Sequence, residues 1–343
     1  MDLMTTAEQD EIASTVAAYL AARLPVVGRG RDHVTRGPEI DDDVWRECAE
    51  LGWLSLGLPE HAGGVGYSLV EEMLLFRELG RAVAPGPFLP GVLAAHLAAA
   101  AGDLPLTASI ASGEVRVALG TPVGEAIVGP LVTADLSLVH TDGADYVIVC
   151  DDRLAALLPA GDCRIEAIDP VDGSIATGRG RVEGAAATLT VGADVEPVLL
   201  RGLVLAAAAA TGVAAAVLDL AVAHAGERVQ FGKPIGTYQA IKHRCADMKV
   251  AVDGADAQAG YAAVAVRDRL EGAATEAAIA KYVADEAART NGEGAVQIHG
   301  AMGFTSEALP HRYVYRAHLL GRCFGSRSML LDRIVGRNGA DGS

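Results

Sequence analysis

Residues 227–248 read ERVQFGKPIGTYQAIKHRCADM, and the rest of the chain is organised around this stretch. An apolar, alanine-rich helix runs into Arg228, the chain breaks across Phe231-Gly232-Lys233-Pro234, and a second helix starts near Thr237 or Tyr238. Gly232 can end the first helix in a left-handed conformation, and Pro234 has no N–H with which to continue it. Arg228, Gln230 and Phe231 are therefore expected at a helix C-terminus, reaching outward. On either side the apolar pattern expects helices at 199–228, 238–269, 275–292 or beyond, and 310–337, which together suggest an antiparallel bundle. The tail NGADGS is expected to fray.

A length of 343 residues exceeds the size at which one hydrophobic core keeps growing, so two or three packed domains are expected. Apolar residues make up 51% of the chain and aromatic ones 4%, a balance that favours closely packed helices over an all-β fold. The net charge of −16 argues against a duplex nucleic-acid binder, whose phosphate contacts need a basic face. It favours a soluble cytoplasmic protein. The five cysteines, Cys48, Cys150, Cys163, Cys245 and Cys323, are odd in number and widely spaced, so they read as reduced and mostly buried thiols. The start MDLMTTAEQDEIAS lacks the basic n-region of a secretory signal. Residues 203–218 alone look like a membrane span, but the run is short, alanine-dominated and met by Asp219, which points to a buried bundle helix.

Nearer the N-terminus, Ile12, Val16, Tyr19 and Leu20 recur at helical spacing over 6–23, with Thr6 placed to cap the start. After a Gly/Arg loop, Asp41 to Asp43 precede Val44-Trp45 as capping carboxylates. Residues 45–90 read as helix, turn, helix: Gly52 closes the first, 59–66 form the loop, and Ser68 with Glu71 makes a capping box for the second. The helical part is expected to end at Asp103 or Leu104. Between 109 and 196 short β runs at 115–119, 136–140, 146–150 and 153–158 suggest a small antiparallel β-domain. GRGRVEG at 178–184 has the wrong spacing for a dinucleotide loop and no following helix, so it reads as a turn between strands. His243, His299, His311 and His318 match no metal-ligand spacing, and no metal is assigned.

The stretch at 227–248 and a second one, VQIHGAMGFTSE at 296–307, together resemble the C-terminal domain of the acyl-CoA dehydrogenase flavoproteins. The run at 45–90, with its LPEHAGGVG loop, resembles their helical N-terminal domain. The resemblance implies a mainly α fold with a small β-domain: an N-terminal helical domain at 1–106, a reduced middle β-domain at 107–196 and a C-terminal four-helix bundle at 197–343. It implies FAD as cofactor and an acyl-CoA thioester as substrate. In that family the Arg/Phe turn reaches across a dimer interface to the flavin of the neighbouring subunit. By resemblance, Arg228 offers its fork of donors to the FAD diphosphate, Gln230 and Phe231 add a hydrogen bond and an apolar contact, and Gln239 lies close to the same cofactor. Gln297, Gly300 and Ala301 match the family's second FAD-contacting segment, where Gly300 permits close backbone approach and Ala301 stands where glycine is common. Without the resemblance, Arg228 reads as a surface residue and QIHGAMG as a helix C-cap and turn.

The family's reaction removes a proton from the acyl α-carbon with a carboxylate and passes a hydride from the β-carbon to the flavin. Aligning RYVYRAHLLGRCFGSR puts Phe324, before Gly325, at the usual glutamate position, and a second base position falls around Gly202. Neither residue accepts a proton, so no catalytic residue is assigned; Glu307 and Glu293 are the carboxylates that a relocated base would draw on. In the middle region VALGTPVGEAIVG replaces the family's threonine-glutamate-proline segment, and its later tryptophan is missing, since the two tryptophans are Trp45 and Trp53. The expectation is a non-catalytic subunit of a heteromeric acyl-CoA dehydrogenase, resembling the smaller subunits of actinobacterial steroid-degrading complexes. Its larger homologous partner would supply the base and the flavin platform, in a heterotetramer serving lipid or steroid catabolism. A self-sufficient homomeric dehydrogenase with a relocated base, and a cofactor-free scaffold of the same fold, are the alternatives.

Overall fold

Thr6 opens helix α1 (Ala7–Arg23) with a reciprocal capping box: its side chain accepts from the Gln9 N–H, and the Gln9 side chain accepts from the Thr6 N–H. The structure, a computed structural model, describes residues 5–26, 39–305 and 307–336; the Gly/Arg loop at 27–38 and the NGADGS tail lie outside them. Helix α2 (Asp42–Glu50) carries Asp42 and Asp43 in its first turn, but Asp41 makes no side-chain cap bond, so the acidic run acts through the helix dipole. Gly52, at φ +78°, closes it as expected. Ser68 and Glu71 form the foreseen capping box of α3 (Leu69–Arg81).

Two further helices, α4 (Phe88–Ala100) and α5 (Leu104–Ala111), complete the N-terminal layer. Every residue of α4 from Phe88 to Ala98 is buried, so it has no polar face for a periodic pattern to reveal. Asp103 caps α5 by accepting from the Leu106 N–H, and helix therefore continues past the expected end at 103 or 104. Trp45 ties this layer to the next: its ring packs on Phe88 at 5.1 Å and its indole N–H donates to the Gly113 carbonyl at 2.9 Å.

Seven strands follow: β1 (Val117–Pro122), β2 (Leu131–Val139), β3 (Tyr146–Cys150), β4 (Leu154–Pro159), β5 (Arg164–Ile168), β6 (Thr177–Ala186) and β7 (Leu189–Gly192). They lie in the order β5-β6-β2-β1-β3-β4-β7. The sheet is not wholly antiparallel, because β1 and β3 pair in parallel through Val117↔Tyr146 to Gly120↔Val149. GRGRVEG is no turn; it lies within β6, where Gly178, Gly180 and Val182 face inward between exposed Arg179, Arg181 and Glu183. A Cβ at Gly180 would stand 2.8 Å from both Cys163 Sγ and Leu138 Cδ1. Close strand packing, not a bend, accounts for that glycine.

The C-terminal bundle comprises α6 (Val198–Glu227), the two-residue strands β8 (Val229–Gln230) and β9 (Lys233–Pro234), then α7 (Gln239–Arg267), α8 (Ala273–His299), α9 (Pro310–Leu320) and α10 (Arg327–Ile334). With 30 residues α6 is long and apolar enough to cross a membrane, so the expectation from shortness fails; 83% of its most apolar window is nevertheless buried in protein. It crosses α3 at reciprocal glycines: a Cβ on Gly80 would collide with the Ala209 carbonyl, and one on Gly212 with the Arg77 carbonyl. The expected last helix is broken in two. Phe324 and Gly325 take φ of +64° and +118°, and Ser326 then caps α10 by accepting from the Met329 N–H.

Arg316 on α9 joins all three layers. Its buried guanidinium donates to Asp172 Oδ2 at 2.6 Å, to Ser174 Oγ, and to the carbonyls of Val83 and Ala84. Burial alone would raise the Asp172 carboxyl, but Arg316 and Ser174 outweigh it and hold the group below its usual range.

Candidate functional site

The two segments singled out by the sequence meet at one end of the bundle. Helix α6 ends at Glu227, and the Arg228 N–H closes it on the His224 carbonyl at 2.9 Å. Gly232 is not the helix terminus: the chain turns back in a two-residue hairpin, with Val229 opposite Pro234 and Gln230 opposite Lys233. Phe231 and Gly232 form its tip at φ +52° and +81°, the paired positive φ that such tight hairpins require. Behind the tip, the Ile235 N–H donates to the Arg228 carbonyl, the Tyr238 hydroxyl donates to the Gln230 carbonyl, and Lys233 Nζ sits 4.5 Å above the Tyr238 ring. The hairpin is braced from behind while Phe231 is 94% exposed.

Helix α8 ends at His299, and Gly300, at φ +64°, turns the chain into a short 3-10 segment, Gly300–Phe304. The His224 and His299 rings stack at 4.1 Å and 20°, which brings the Arg228 hairpin beside QIHGAMG. Arg228, Gln230, Phe231, Gln239, Gln297, Gly300 and Ala301 are all exposed. Arg228 has no ion pair among the described residues.

A second feature lies between the sheet and the α9–α10 break: a cleft of about 180 Å³ lined by Thr121, Cys150, Asp151, Leu199, Phe324 and Met329 among others. The buried Phe324 donates its N–H to Thr121 Oγ1 at 3.2 Å, and its ring fills the space into which a Cβ on Gly202 would project. Both positions aligned with a base thus meet at one place, and both are apolar. Asp151 is the one carboxylate among the described lining residues, and its Oδ1 accepts from the Arg153 and Leu154 N–H groups. Burial pushes the Cys150 thiol up to about 12, which leaves it un-ionised. Neither alternative carboxylate lines the cleft: Glu293 pairs with Arg289 at 2.7 Å, and Glu307 is exposed.

Next to Gly202 the sequence reading missed a buried network. Glu72 on α3 pairs with Arg201 and with His96 Nε2, the latter at 2.7 Å, while Arg201 Nε donates to Glu196 at 2.9 Å. Burial would raise the Glu72 carboxyl, but Arg201 and His96 outweigh it and hold it at about 2. Nothing in the Glu71-Glu72 doublet separates this residue from a solvated helix face.

Residues 6–104 match the family Acyl-CoA dehydrogenase, N-terminal domain, and residues 198–338 match Acyl-CoA dehydrogenase, C-terminal domain. Acyl-CoA dehydrogenase IpdE2 of Mycobacterium tuberculosis is 31% identical over 332 residues, covering 95% of this chain and 96% of that protein. The chain belongs to the acyl-CoA dehydrogenase family. Acyl-CoA dehydrogenase FadE34 of the same organism is 33% identical over 94% of this chain but 46% of its own length, so the chain spans about half of that relative. A chain of the ChsE4-ChsE5 complex from Mycobacterium tuberculosis has the same fold, with a TM-score of 0.86 at 26% identity over 100% of both chains. Butyryl-CoA dehydrogenase from Megasphaera elsdenii shares the fold at a TM-score of 0.83 and 22% identity, over 98% of this chain and 100% of that one.

Members of this acyl-CoA dehydrogenase family are oxidoreductases acting on acyl-CoA thioesters, and their cofactor is FAD. The residues of this chain fit FAD at one place and not at another. The exposed Arg228 end offers a guanidinium fork suited to a diphosphate, beside a glycine turn that permits close approach. The cleft, at about 180 Å³, falls short of the roughly 300–1,000 Å³ of small-molecule sites, and Phe324 is one of its lining residues.

Proposed function

We propose that the chain is a non-catalytic subunit of a heteromeric FAD-dependent acyl-CoA dehydrogenase. Its Arg228 hairpin completes the flavin site of a larger homologous partner, which carries the base and the flavin platform. The observation that carries this reading is Phe324, bonded to Thr121 and packed over Gly202, where no group can take an α-proton. On this reading Arg228 holds the FAD diphosphate, and Gln230, Phe231, Gln239, Gln297, Gly300 and Ala301 lie along the same cofactor. The likeness to a chain of the ChsE4-ChsE5 complex, which by its name pairs two proteins, supports a mixed assembly. The reaction served is the α,β-desaturation of an acyl-CoA thioester in lipid or steroid catabolism.

The test is flavin content and acyl-CoA-dependent dye reduction, measured for this chain alone and co-expressed with a large homologue that carries the glutamate and the Thr-Glu-Pro segment. Bound flavin and activity are expected in the mixed complex only. Activity of the chain alone would overturn the reading in favour of a homomeric enzyme with a relocated base. A mixed complex whose flavin content is independent of this chain would favour a scaffold.

A further inference from the structure

We propose that His224 and His299 act as a pH-dependent positioning pair, holding the Arg228 hairpin against the Gly300 turn so that the flavin-gripping end is ordered near neutral pH and loosened in acid. This rests on the function proposed above. Each ring occupies the last turn of its helix: the His224 carbonyl takes the N–H of Arg228, and His299 immediately precedes Gly300. The rings stack at 4.1 Å, so the two segments expected to grip one cofactor are joined side chain to side chain. His299 Nδ1 lies 2.8 Å from the Ala295 carbonyl and so carries the hydrogen, which leaves Nε2 as the position for a second proton.

The charges around the pair set the direction. A helix C-terminus welcomes one positive charge, but two stacked imidazolium rings beside a guanidinium repel one another. Burial, then His299 and Arg228, lower the His224 pKa against the opposing pull of Glu227. The adjoining turns Ile235–Thr237 and Gly300–Phe304 contribute no titratable group, Lys233 is engaged on the Tyr238 ring, and Lys242 and His243 on α7 are exposed. Because the folded His224 pKa is lowered, the neutral stacked state is fully favoured above the ordinary histidine value of about 6.5 and is lost as pH falls below that value toward the lowered one.

The experiment measures FAD affinity of the mixed complex by flavin fluorescence from about pH 8 to about pH 5.5. The wild-type complex is expected to weaken by about fivefold or more toward the acid end. A His224→Phe/His299→Phe double variant, which keeps two stacked rings that cannot charge, should lose that dependence. A flat wild-type profile, or an equal slope in the double variant, would overturn the proposal. Imidazole NMR of the full chain gives a readout independent of flavin: replacing His299 by Phe should move the titration of His224 upward, and an unmoved His224 overturns the coupling. Arg228→Ala in the same assay separates the two ideas. If it leaves FAD affinity unchanged, the cross-subunit reading itself fails; if it lowers affinity while the double variant keeps the wild-type slope, only the histidine pair fails.

Discussion

The ring of Phe324 occupies the space into which any side chain at Gly202 would project, so the two residues are each other's condition. Phe324 holds this place at φ +64°, a backbone conformation that strains a bulky residue and persists only when its surroundings over-determine it. Burial of the ring and the bond from its N–H to Thr121 supply that constraint.

Phe324→Ala is therefore expected to destabilise the chain by about 3–5 kcal/mol, read from urea unfolding, because the ring leaves a void under α6. In a mixed complex that still assembles, kcat should stay within about threefold of wild type, since the ring does no chemistry. A loss of about a hundredfold with the fold intact would return the chemistry to this cleft.

Glu72 gives a pH prediction with a definite sign. Its carboxyl is held at about 2 by Arg201 and His96, below the unfolded value of about 4.3, so its contribution is complete above that value and is lost as pH falls toward 2. Glu72→Gln should cost about 3–5 kcal/mol at neutral pH, because Arg201 stays buried with only Glu196 beside it. The gap between the two proteins should narrow between about pH 5 and about pH 3, by denaturant unfolding at each pH. A constant gap would mean that Glu72 is not ionised in the fold.

Helical glycines should split into opposite classes. Gly212→Ala drives a methyl into the Arg77 carbonyl where α3 and α6 cross, and overpacking of this kind costs about 1–3 kcal/mol. Gly254→Ala on α7 meets nothing within 4 Å and should stabilise the chain by about 0.5–1 kcal/mol through helix propensity alone. Thermal unfolding of the isolated chain distinguishes them, and equal effects at both positions would refute the close crossing.

What the sequence made legible depended on how locally each feature is encoded. The capping boxes at Thr6 and Ser68 and the breaks after α6 and α8 are written in glycine, proline and cap residues within a few positions, and they stand as read. The hairpin was misread as a helix end because the same Gly232 serves either purpose. Helix α4 escaped because it is apolar all round, and the β1–β3 pairing because β2 inserts itself on the other side of β1. Alignment put Phe324 and Gly202 at base positions, but their mutual contact and the partnership of Glu72 with Arg201, 129 residues apart, exist only once the chain has folded.

Arg228 carries the last prediction, because its charge and its geometry can be separated. Lysine keeps the charge but offers a single ammonium where arginine offers a planar fork, so a diphosphate held by two parallel bonds should lose one of them on Arg228→Lys and both on Arg228→Ala. Each bond to a charged group contributes about 1.5–3 kcal/mol. FAD binding to the mixed complex should thus weaken by about tenfold or more for Lys and about a hundredfold or more for Ala. The isolated chain should unfold as the wild type does, since the side chain is exposed and has no ion pair among the described residues. Equal affinities for the Lys variant and wild type would reduce Arg228 to a point charge, and unchanged affinity for Ala would remove it from the flavin altogether.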